Sequence, residues 1–142
     1  MSASTPKRNE PLRVILDSNA LFVPLQFKID IFEELKRLLN RKVEFVLLST
    51  VKCELEILLT KDSPKIRREA LFALKIAEKC KYVPVETNEG ITTDDAIARI
   101  AKKWGSPVFT NDIQLKRKLR DISVPVIYVR QKSRLDVDGL IS

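Results

Sequence analysis

The sequence predicts an α/β domain in which a central parallel sheet lies between two layers of helices. Short apolar segments of strand length alternate along the chain with longer segments of helical periodicity. Strands that are apolar almost throughout are typical of parallel sheets covered on both faces. At 142 residues, 44% of them hydrophobic and 32% charged, the chain has the size and composition of one globular domain. We therefore expect one three-layer α/β/α domain over residues 12–130, with a flexible N-terminal tail at 1–11 and a C-terminal tail at 131–142.

The first half of the chain contains two predicted strands and two predicted helices. Residues 13–16 are a short buried strand that ends at the loop formers Asp17-Ser-Asn19. Residues 29–39 have helical spacing with their apolar side chains on one side. Residues 43–48 form a second strand, after which Ser49 can cap a helix over residues 50–59.

The second half of the chain continues the alternation. Pro64 suits the first turn of a long helix, and Gly105 stands in the usual stop position of the helix that Thr93 begins. The predicted elements are a helix at 64–80, a strand at 82–85, a helix at 93–104, a strand at 107–110, a helix at 112–121 and a last strand at 124–129. No repeat or linker divides the chain.

The composition excludes several kinds of chemistry. The chain has no histidine, which removes catalytic triads, histidine-pair ribonuclease chemistry and histidine-ligated metals. Its net charge of +7 suits an anionic partner such as nucleic acid, although general solubility explains a basic surface equally well. Aromatic residues, at 6%, are too scarce for an extensive base-stacking platform, so Phe27 and Trp104 are expected in the core.

The sequence also predicts a cytoplasmic location without membrane association. Apolar runs such as Val46-Leu-Leu48 are far shorter than the ~20 residues that span a bilayer. The first eleven residues have no apolar segment typical of a secretory signal. Cys53 and Cys80 lie inside amphipathic patterns, and we expect both thiols to be buried and reduced.

Two acids follow predicted strands directly. Asp17 follows the first strand, and Asp112 follows the strand that ends at Thr110. Sites in parallel sheets form at the carboxyl ends of strands, so both side chains are expected at the same edge of the sheet. The alternative is that each aspartate only forms a turn or caps a helix.

Two further acids are expected to point inward from helices. Glu54 falls within an apolar arc on the helical wheel, and Asp94 shares the apolar side of its helix, whereas Asp95 lies on the polar side. The arc around Glu54 consists of Val51, Cys53, Leu55, Ile57, Leu58 and Leu59. A buried salt bridge is the alternative for Glu54, and a favourable interaction with the helix dipole is the alternative for Asp94.

Four acids in one cleft would require a counter-charge. Two like charges 4 Å apart repel by about 4 kcal/mol at an effective dielectric of 20. Such a cluster either keeps some protons or holds a divalent cation, and oxygen ligands suit Mg²⁺ or Mn²⁺ rather than zinc. A hard cation in an acidic cleft with a basic rim is typical of phosphodiester cleavage.

The segments that carry these acids resemble the four acidic motifs of PIN domains, in the same order. They are Val14-Ile-Leu-Asp-Ser-Asn19, Ser49-Thr-Val-Lys-Cys-Glu-Leu55, Thr93-Asp-Asp-Ala-Ile-Ala98 and Val108-Phe-Thr-Asn-Asp112. The resemblance covers roughly residues 12–130. The segments Leu25–Leu35 and Val126–Arg130 resemble the archaeal and eukaryotic branch that processes small-subunit ribosomal RNA more closely than they resemble VapC-type toxins.

The resemblance implies an endoribonuclease that cleaves single-stranded RNA with Mg²⁺ or Mn²⁺, with a ribosomal precursor as the preferred substrate. It implies that Asp17, Glu54, Asp94 and Asp112 bind the metal, with Asp95 as a further candidate ligand. Asn19 and Thr110 would support the site through hydrogen bonds, with Asn111 as a less certain helper. A homodimer and an antitoxin partner are left open.

Three other functions compete with this one. The first is a VapC-type toxin ribonuclease. The second is a catalytically inactive PIN domain that serves as an RNA-binding or scaffold subunit. The third is a response-regulator-like acidic domain, which we disfavour because it leaves Glu54 and Asp94 unexplained.

Basic side chains near the predicted cleft are candidates for phosphate contacts that do not read sequence. The alternative for each is a solvated charged surface. The principal candidates are Lys102, Lys103, Lys116, Arg117, Lys118, Arg120 and Arg130, with Arg67, Arg68, Lys132 and Arg134 as further candidates.

Overall fold

A computed structural model describes residues 10–86, 88 and 90–142. The strands in this part of the chain are β1 (Leu12–Leu16), β2 (Val43–Leu48), β3 (Lys81–Val83), β4 (Val108–Phe109), β5 (Val126–Arg130) and β6 (Arg134–Asp138). The helices are α1 (Val23–Phe27), α2 (Ile31–Leu39), α3 (Ser49–Leu58), α4 (Pro64–Ala77), α5 (Thr93–Trp104) and α6 (Ile113–Asp121), and a 3₁₀ helix (Ser18–Phe22) precedes α1. None of these described helices is both long and apolar enough to cross a membrane.

The strands form one sheet in the order β3-β2-β1-β4-β5-β6. All neighbouring pairs are parallel except β5 and β6. The chain moves outward from β1 to β2 and β3, and then returns to place β4 on the other side of β1. This reversal makes the carboxyl ends of β1 and β4 the topological switch point, where ligands bind in open α/β sheets. The predicted three-layer fold with a mostly parallel sheet is confirmed.

The central strands are buried on both faces. Val14, Ile15 and Leu16 of β1 are fully buried, as are both residues of β4. Arg13 is half-buried, and its guanidinium carbon lies 4.0 Å from the centre of the Trp104 ring. Phe27 and Trp104 pack against the core at its edge, as predicted.

Several helices begin and end as the sequence predicts, with small shifts of the cap. Asp30 caps α2 by accepting hydrogen bonds from the backbone N–H groups of Phe32 and Glu33. Thr92, rather than Thr93, caps α5, which ends at Gly105 in the left-handed region with φ of 66°. Ser49 does not cap α3. Its hydroxyl instead accepts a hydrogen bond from the backbone N–H of Val85 at 2.9 Å.

Two parts of the fold differ from the prediction. The 3₁₀ helix and α1 occupy residues 18–27, where the sequence predicts loop formers at residues 17–19 and no helix before residue 29. The C-terminal tail expected over residues 131–142 contains β6, which pairs antiparallel with β5 and buries Leu135. Charged and apolar residues alternate along β6, as is typical of an antiparallel edge strand that buries only one face. Residues 1–9 of the predicted N-terminal tail lie outside the described residues.

The expectation that both thiols are buried is wrong for one of them. Both cysteines are free, but Cys53 is exposed. Cys80 is partly buried, and this burial raises the pKa of its thiol to about 12.

Candidate active site

Asp17 lies at the switch point, directly after β1, and is only 4% exposed. Its backbone N–H donates to the carbonyl of Phe109 at 3.0 Å, which ties the end of β1 to the end of β4. One carboxylate oxygen, Oδ1, accepts from the backbone N–H of Ser18 at 2.8 Å. The other, Oδ2, accepts from the hydroxyl of Thr110 at 2.7 Å and from the side-chain amide of Asn19 at 2.9 Å. Both oxygens are therefore held in a defined orientation.

A polar network behind Asp17 joins the ends of three strands. The side-chain oxygen of Asn19 accepts from the backbone N–H of Asn111 at 2.8 Å. The hydroxyl of Thr110 accepts from the backbone N–H of Asp112 at 3.1 Å. The side-chain oxygen of Asn111 accepts from the backbone N–H of Val129 in β5 at 2.8 Å. Asn19, Thr110 and Asn111, singled out from the sequence as supporting groups, thus position Asp17 and the segment that leads to Asp112.

Asp112 is both a helix cap and a cleft acid. Its Oδ1 atom accepts from the backbone N–H groups of Gln114 at 2.8 Å and Leu115 at 3.2 Å, which starts α6. The residue is exposed, and its charge raises the pKa of Asp17. The capping role that we weighed as an alternative is therefore real, and it orients the carboxylate at the edge of the cleft.

Asp17 itself has a raised pKa. Burial is the largest cause, and the charge of Asp112 adds to it. The hydrogen bonds from Thr110, Ser18 and Asn19 act in the opposite direction, because they stabilise the carboxylate. A cation beside Asp17 would relieve both unfavourable contributions.

Glu54 differs from the prediction in its burial but faces the same cleft. The wheel places it in a broad apolar arc, yet only Val51 and Leu55 of α3 are buried, while Cys53 is exposed and Ile57 is 56% exposed. Glu54 itself is exposed. The predicted apolar arc was too wide, because single exposed apolar side chains are common and the wheel cannot identify them.

The carboxylate of Glu54 nevertheless interacts with the other acids. Desolvation by the cleft is the first cause of its raised pKa, followed by the charges of Asp17 and Asp94. Hydrogen bonds from the side chains of Thr93 and Ser18 lower it. No ion pair joins Glu54 to a lysine or arginine of the described chain, so the salt-bridge alternative does not hold there.

Asp94 and Asp95, which are adjacent in sequence, have opposite environments. Asp94 is partly buried, and its pKa is raised first by desolvation and then by Asp17 and Asp112. Asp95 forms an ion pair and hydrogen bond with Lys118, and this contact is the main cause of its lowered pKa. Asp94 therefore belongs with the cleft acids. Asp95 is neutralised by a lysine, which weakens its candidacy as a ligand.

The four acids come from four parts of the chain and lie within electrostatic range, because the charges of Asp17, Asp94 and Asp112 raise the pKa of neighbouring acids of the cleft. As they are placed in the described chain, no three acid or cysteine side chains form a group that could hold a metal ion. The four acids offer carboxylate oxygens, which are ligands that Mg²⁺ and Mn²⁺ prefer. The chemistry of these ligands fits such an ion. The carboxylates would have to move closer together to bind it.

The basic candidates occupy several distinct environments. Lys118 is beside the cleft through its pair with Asp95 and lowers the pKa of Asp94. Most of the others contact their own domain, while Lys103 and Arg117 are exposed. These contacts join Lys116 and Arg120 to Asp138, Arg130 to Asp136, and Lys102 to the carbonyl of Ile122.

Two hydroxyl residues of the site were not singled out from the sequence. Ser18 and Thr93 both hydrogen-bond the carboxylate of Glu54. Each directly neighbours one of the cleft acids in sequence, Asp17 and Asp94 respectively. That adjacency is a signal that could have identified them.

Comparisons with known proteins agree with this geometry. The family model described as "PIN like domain" matches residues 14–132. The chain is 34% identical over 130 residues to ribonuclease VapC4 of Methanocaldococcus jannaschii, covering 91% of this chain and 98% of that protein. It is also 34% identical over 123 residues to the rRNA-processing protein fcf1 of Schizosaccharomyces pombe, covering 84% of this chain and 59% of that protein.

The solved structure of the PIN domain endonuclease Utp24 superimposes with a TM-score of 0.75 at 32% identity, over 92% of this chain and 94% of that one. The similarity extends over nearly the whole chain in both sequence and structure, and these relatives are named as nucleases or as an RNA-processing protein. The chain therefore belongs to the PIN domain family.

Proposed function

We propose that the protein is an endoribonuclease that cleaves single-stranded RNA with the help of Mg²⁺ or Mn²⁺. The observation that carries the proposal is the meeting of Asp17, Glu54, Asp94 and Asp112 at the switch point of the sheet. The charge of Asp112 raises the pKa of Asp17 and of Asp94, and the charges of Asp17 and Asp94 raise the pKa of Glu54. Within the described part of the chain, no lysine or arginine forms an ion pair with any of the four. Such an arrangement is costly for folding alone and useful for holding a hard cation.

The acids differ in how firmly the protein holds them. Asp17 is held rigidly by three hydrogen bonds, whereas Glu54 and Asp112 are exposed and can move toward a substrate. A divalent ion bound among them supplies polarisation of the phosphate and a more acidic water. The protein's own contribution is to orient the carboxylates, with Asn19 and Thr110 fixing Asp17.

Processing of ribosomal RNA is the role we favour among those open to such a nuclease. The rRNA-processing protein fcf1 and the endonuclease Utp24 both match at more than 30% identity. Ribonuclease VapC4 matches at the same level over more of the chain, so a toxin ribonuclease is the second candidate. The two functions predict different substrates, namely a precursor of ribosomal RNA for the first and another cellular RNA for the second.

The test is cleavage of an end-labelled single-stranded RNA in Mn²⁺ and in EDTA. We expect Asp17→Asn and Glu54→Gln to lower the cleavage rate by at least about 100-fold, since such ligands position the metal. Glu56→Gln is the matched control, because Glu56 is an exposed glutamate on the same helix. Equal cleavage by wild type and all three variants would mean that a contaminant cuts the RNA, and the proposal would be lost.

Measurement of RNA binding distinguishes a nuclease from a catalytically inactive PIN subunit. The inactive-subunit alternative predicts that wild type binds RNA as tightly as Asp17→Asn and that neither protein cleaves any single-stranded RNA in Mn²⁺. Fluorescence anisotropy of a labelled RNA, measured beside the cleavage assay, distinguishes the two functions.

A further inference from the structure

A cavity of about 400 Å³ opens beside the candidate active site. Its volume is within the ~300–1,000 Å³ typical of sites for small organic groups. Thr110 and Asn111 form one part of its wall. The rest includes Phe27, Ile113, Lys116, Tyr128, Gln131 and Lys132.

The cavity adjoins the catalytic acids directly. Thr110 lines the cavity, and its hydroxyl donates a hydrogen bond of 2.7 Å to the carboxylate of Asp17. Ile113, which also lines it, immediately follows Asp112 at the start of α6. A group bound in the cavity would thus be one side chain away from two of the four acids.

The walls combine flat apolar surface with positive charge. Phe27 and Tyr128 are half-buried aromatic residues, and Ile113 is 67% exposed although it is large and apolar. The ammonium group of Lys116 lies 4.0 Å from the centre of the Tyr128 ring and 3.5 Å from the carboxylate of Asp138. These two contacts hold the lysine at the wall, and Arg120 also pairs with Asp138, so this carboxylate is offset by two cations.

The rim is a tight turn between β5 and β6. The backbone N–H of Ser133 donates to the carbonyl of Arg130 at 3.2 Å, and the two central residues, Gln131 and Lys132, have φ of 53° and 59°. Turns of this geometry favour glycine or asparagine. The chain instead carries two long polar side chains there, and both line the cavity.

We propose that this cavity binds the unpaired base of a nucleotide next to the scissile phosphate. An RNA base has a flat apolar face that suits the aromatic wall, and polar edges that suit the amide of Gln131. The flanking phosphates suit the ammonium groups of Lys116 and Lys132. The proposal rests on the proposed nuclease function, and it makes these residues determinants of where the RNA is cut.

The first test is an abasic scan. A single-stranded RNA with a mapped cut site is prepared with each nucleotide near that site made abasic in turn. We expect one position at which loss of the base lowers kcat/KM by about 5- to 150-fold, the range of one base-stacking contact. In Ile113→Ser and in the double variant Gln131→Gly/Lys132→Gly, the same abasic substitution should have little further effect.

These variants are chosen to fold normally. Ile113 is mostly exposed, and glycine relaxes a turn whose central residues have positive φ. Leu71→Ser is the matched control, because Leu71 is 57% exposed on α4 and does not line the cavity. Uniform tolerance of abasic sites by wild type, or equal discrimination by wild type and both variants, would overturn the proposal.

A second measurement does not depend on cleavage. RNA substituted with 4-thiouridine is bound in EDTA, irradiated, and digested for mass spectrometry of the crosslinked peptides. Crosslinks to Phe27, Tyr128 or residues 131–132 support base binding even if the protein proves to be an inactive PIN subunit. Crosslinks confined to other surfaces mean that the cavity does not take a base, whether or not the nuclease proposal holds.

Discussion

The hydroxyl of Thr110 donates a hydrogen bond of 2.7 Å to the Oδ2 atom of Asp17, across 93 positions of sequence. Both residues are buried, at 0% and 4% exposure, and they follow the two neighbouring strands on either side of the switch point. The same hydroxyl accepts from the backbone N–H of Asp112 at 3.1 Å. One side chain thus connects two of the acids proposed to bind the metal.

Replacement of Thr110 by valine should disturb Asp17 without changing the shape of the core. The variant loses a hydrogen bond that lowers the pKa of Asp17, so this pKa should rise further. We expect a loss of about 1–3 kcal/mol in the free energy of unfolding, since buried partners are left unsatisfied. The acidic limb of the pH–rate profile should shift to higher pH. Urea unfolding and cleavage rates measured as a function of pH check both effects, and an unshifted acidic limb would contradict this account of Asp17.

Two substitutions of Asn19 should separate its hydrogen bond to Asp17 from its hydrogen bond to Asn111. Asn19→Asp keeps an oxygen that can accept from the backbone N–H of Asn111, but it loses the donor to Asp17 and places a second negative charge beside it. Asn19→Ala loses these hydrogen bonds, together with the one from its amide to the hydroxyl of Thr110 at 3.2 Å, and adds no charge. We expect Asn19→Asp to reduce cleavage at neutral pH more than Asn19→Ala does, because like charges at this distance repel. If the alanine variant is the less active one, the hydrogen bond between Asn19 and Asn111 matters more than the negative charge that Asn19→Asp places beside Asp17.

Replacement of Asp94 by asparagine should stabilise the fold while it impairs cleavage. The fold raises the pKa of Asp94 above its ordinary value of 3.8, so the folded state binds this proton more tightly than the unfolded state. The ionised form therefore costs stability at neutral pH, and this cost disappears as the pH falls through the folded pKa. In EDTA at pH 7 we expect Asp94→Asn to be more stable than wild type by less than about 1 kcal/mol, because solvent screens the repulsion of a carboxylate that is only partly buried.

The pH dependence of this difference is the diagnostic feature. The advantage of Asp94→Asn should shrink as the pH falls through the raised pKa of Asp94, because the carboxylate of wild type then becomes neutral as well. Asp95 and Asp136 have lowered pKa values, so they make the fold less stable as the pH falls. Both proteins contain these two residues, and comparing their thermal unfolding at each pH therefore cancels this effect. A difference that stays constant between pH 7 and pH 4 would show that repulsion in the cleft is not its source.

Divalent cations should stabilise the folded protein if the acids bind them. A ligand that binds only the folded state adds about 2.7 kcal/mol at 100 times its Kd, which raises the Tm of a domain of this size by several degrees. We expect Mn²⁺ to raise the Tm of wild type and of Glu56→Gln, and to have little effect on Glu54→Gln or Asp17→Asn. NaCl at matched ionic strength serves as the control for screening. A Tm shift retained in Asp17→Asn would place the metal elsewhere.

Much of the candidate site was predictable because local sequence carries it. Asp17 and Asp112 follow strands whose apolar runs are recognisable in the sequence, and each also caps the helix that follows. The position of each acid at a strand end could therefore be predicted. The opposite placement of Asp94 and Asp95 follows from helical periodicity. The environment of Glu54 was harder to predict. The helical wheel places it among apolar residues expected to be buried, whereas only Val51 and Leu55 of α3 are buried.

The sequence by itself determined the alternation of strands and helices and the four acids at their boundaries, because periodicity and turn chemistry act over a few residues. Only the tertiary structure decided that β4 lies beside β1, and with it the bond between Thr110 and Asp17. It also decided that Lys118 neutralises Asp95, and that β6 supplies the carboxylate between Lys116 and Arg120. These are contacts between residues distant along the chain, and the packing of the whole sheet selects them.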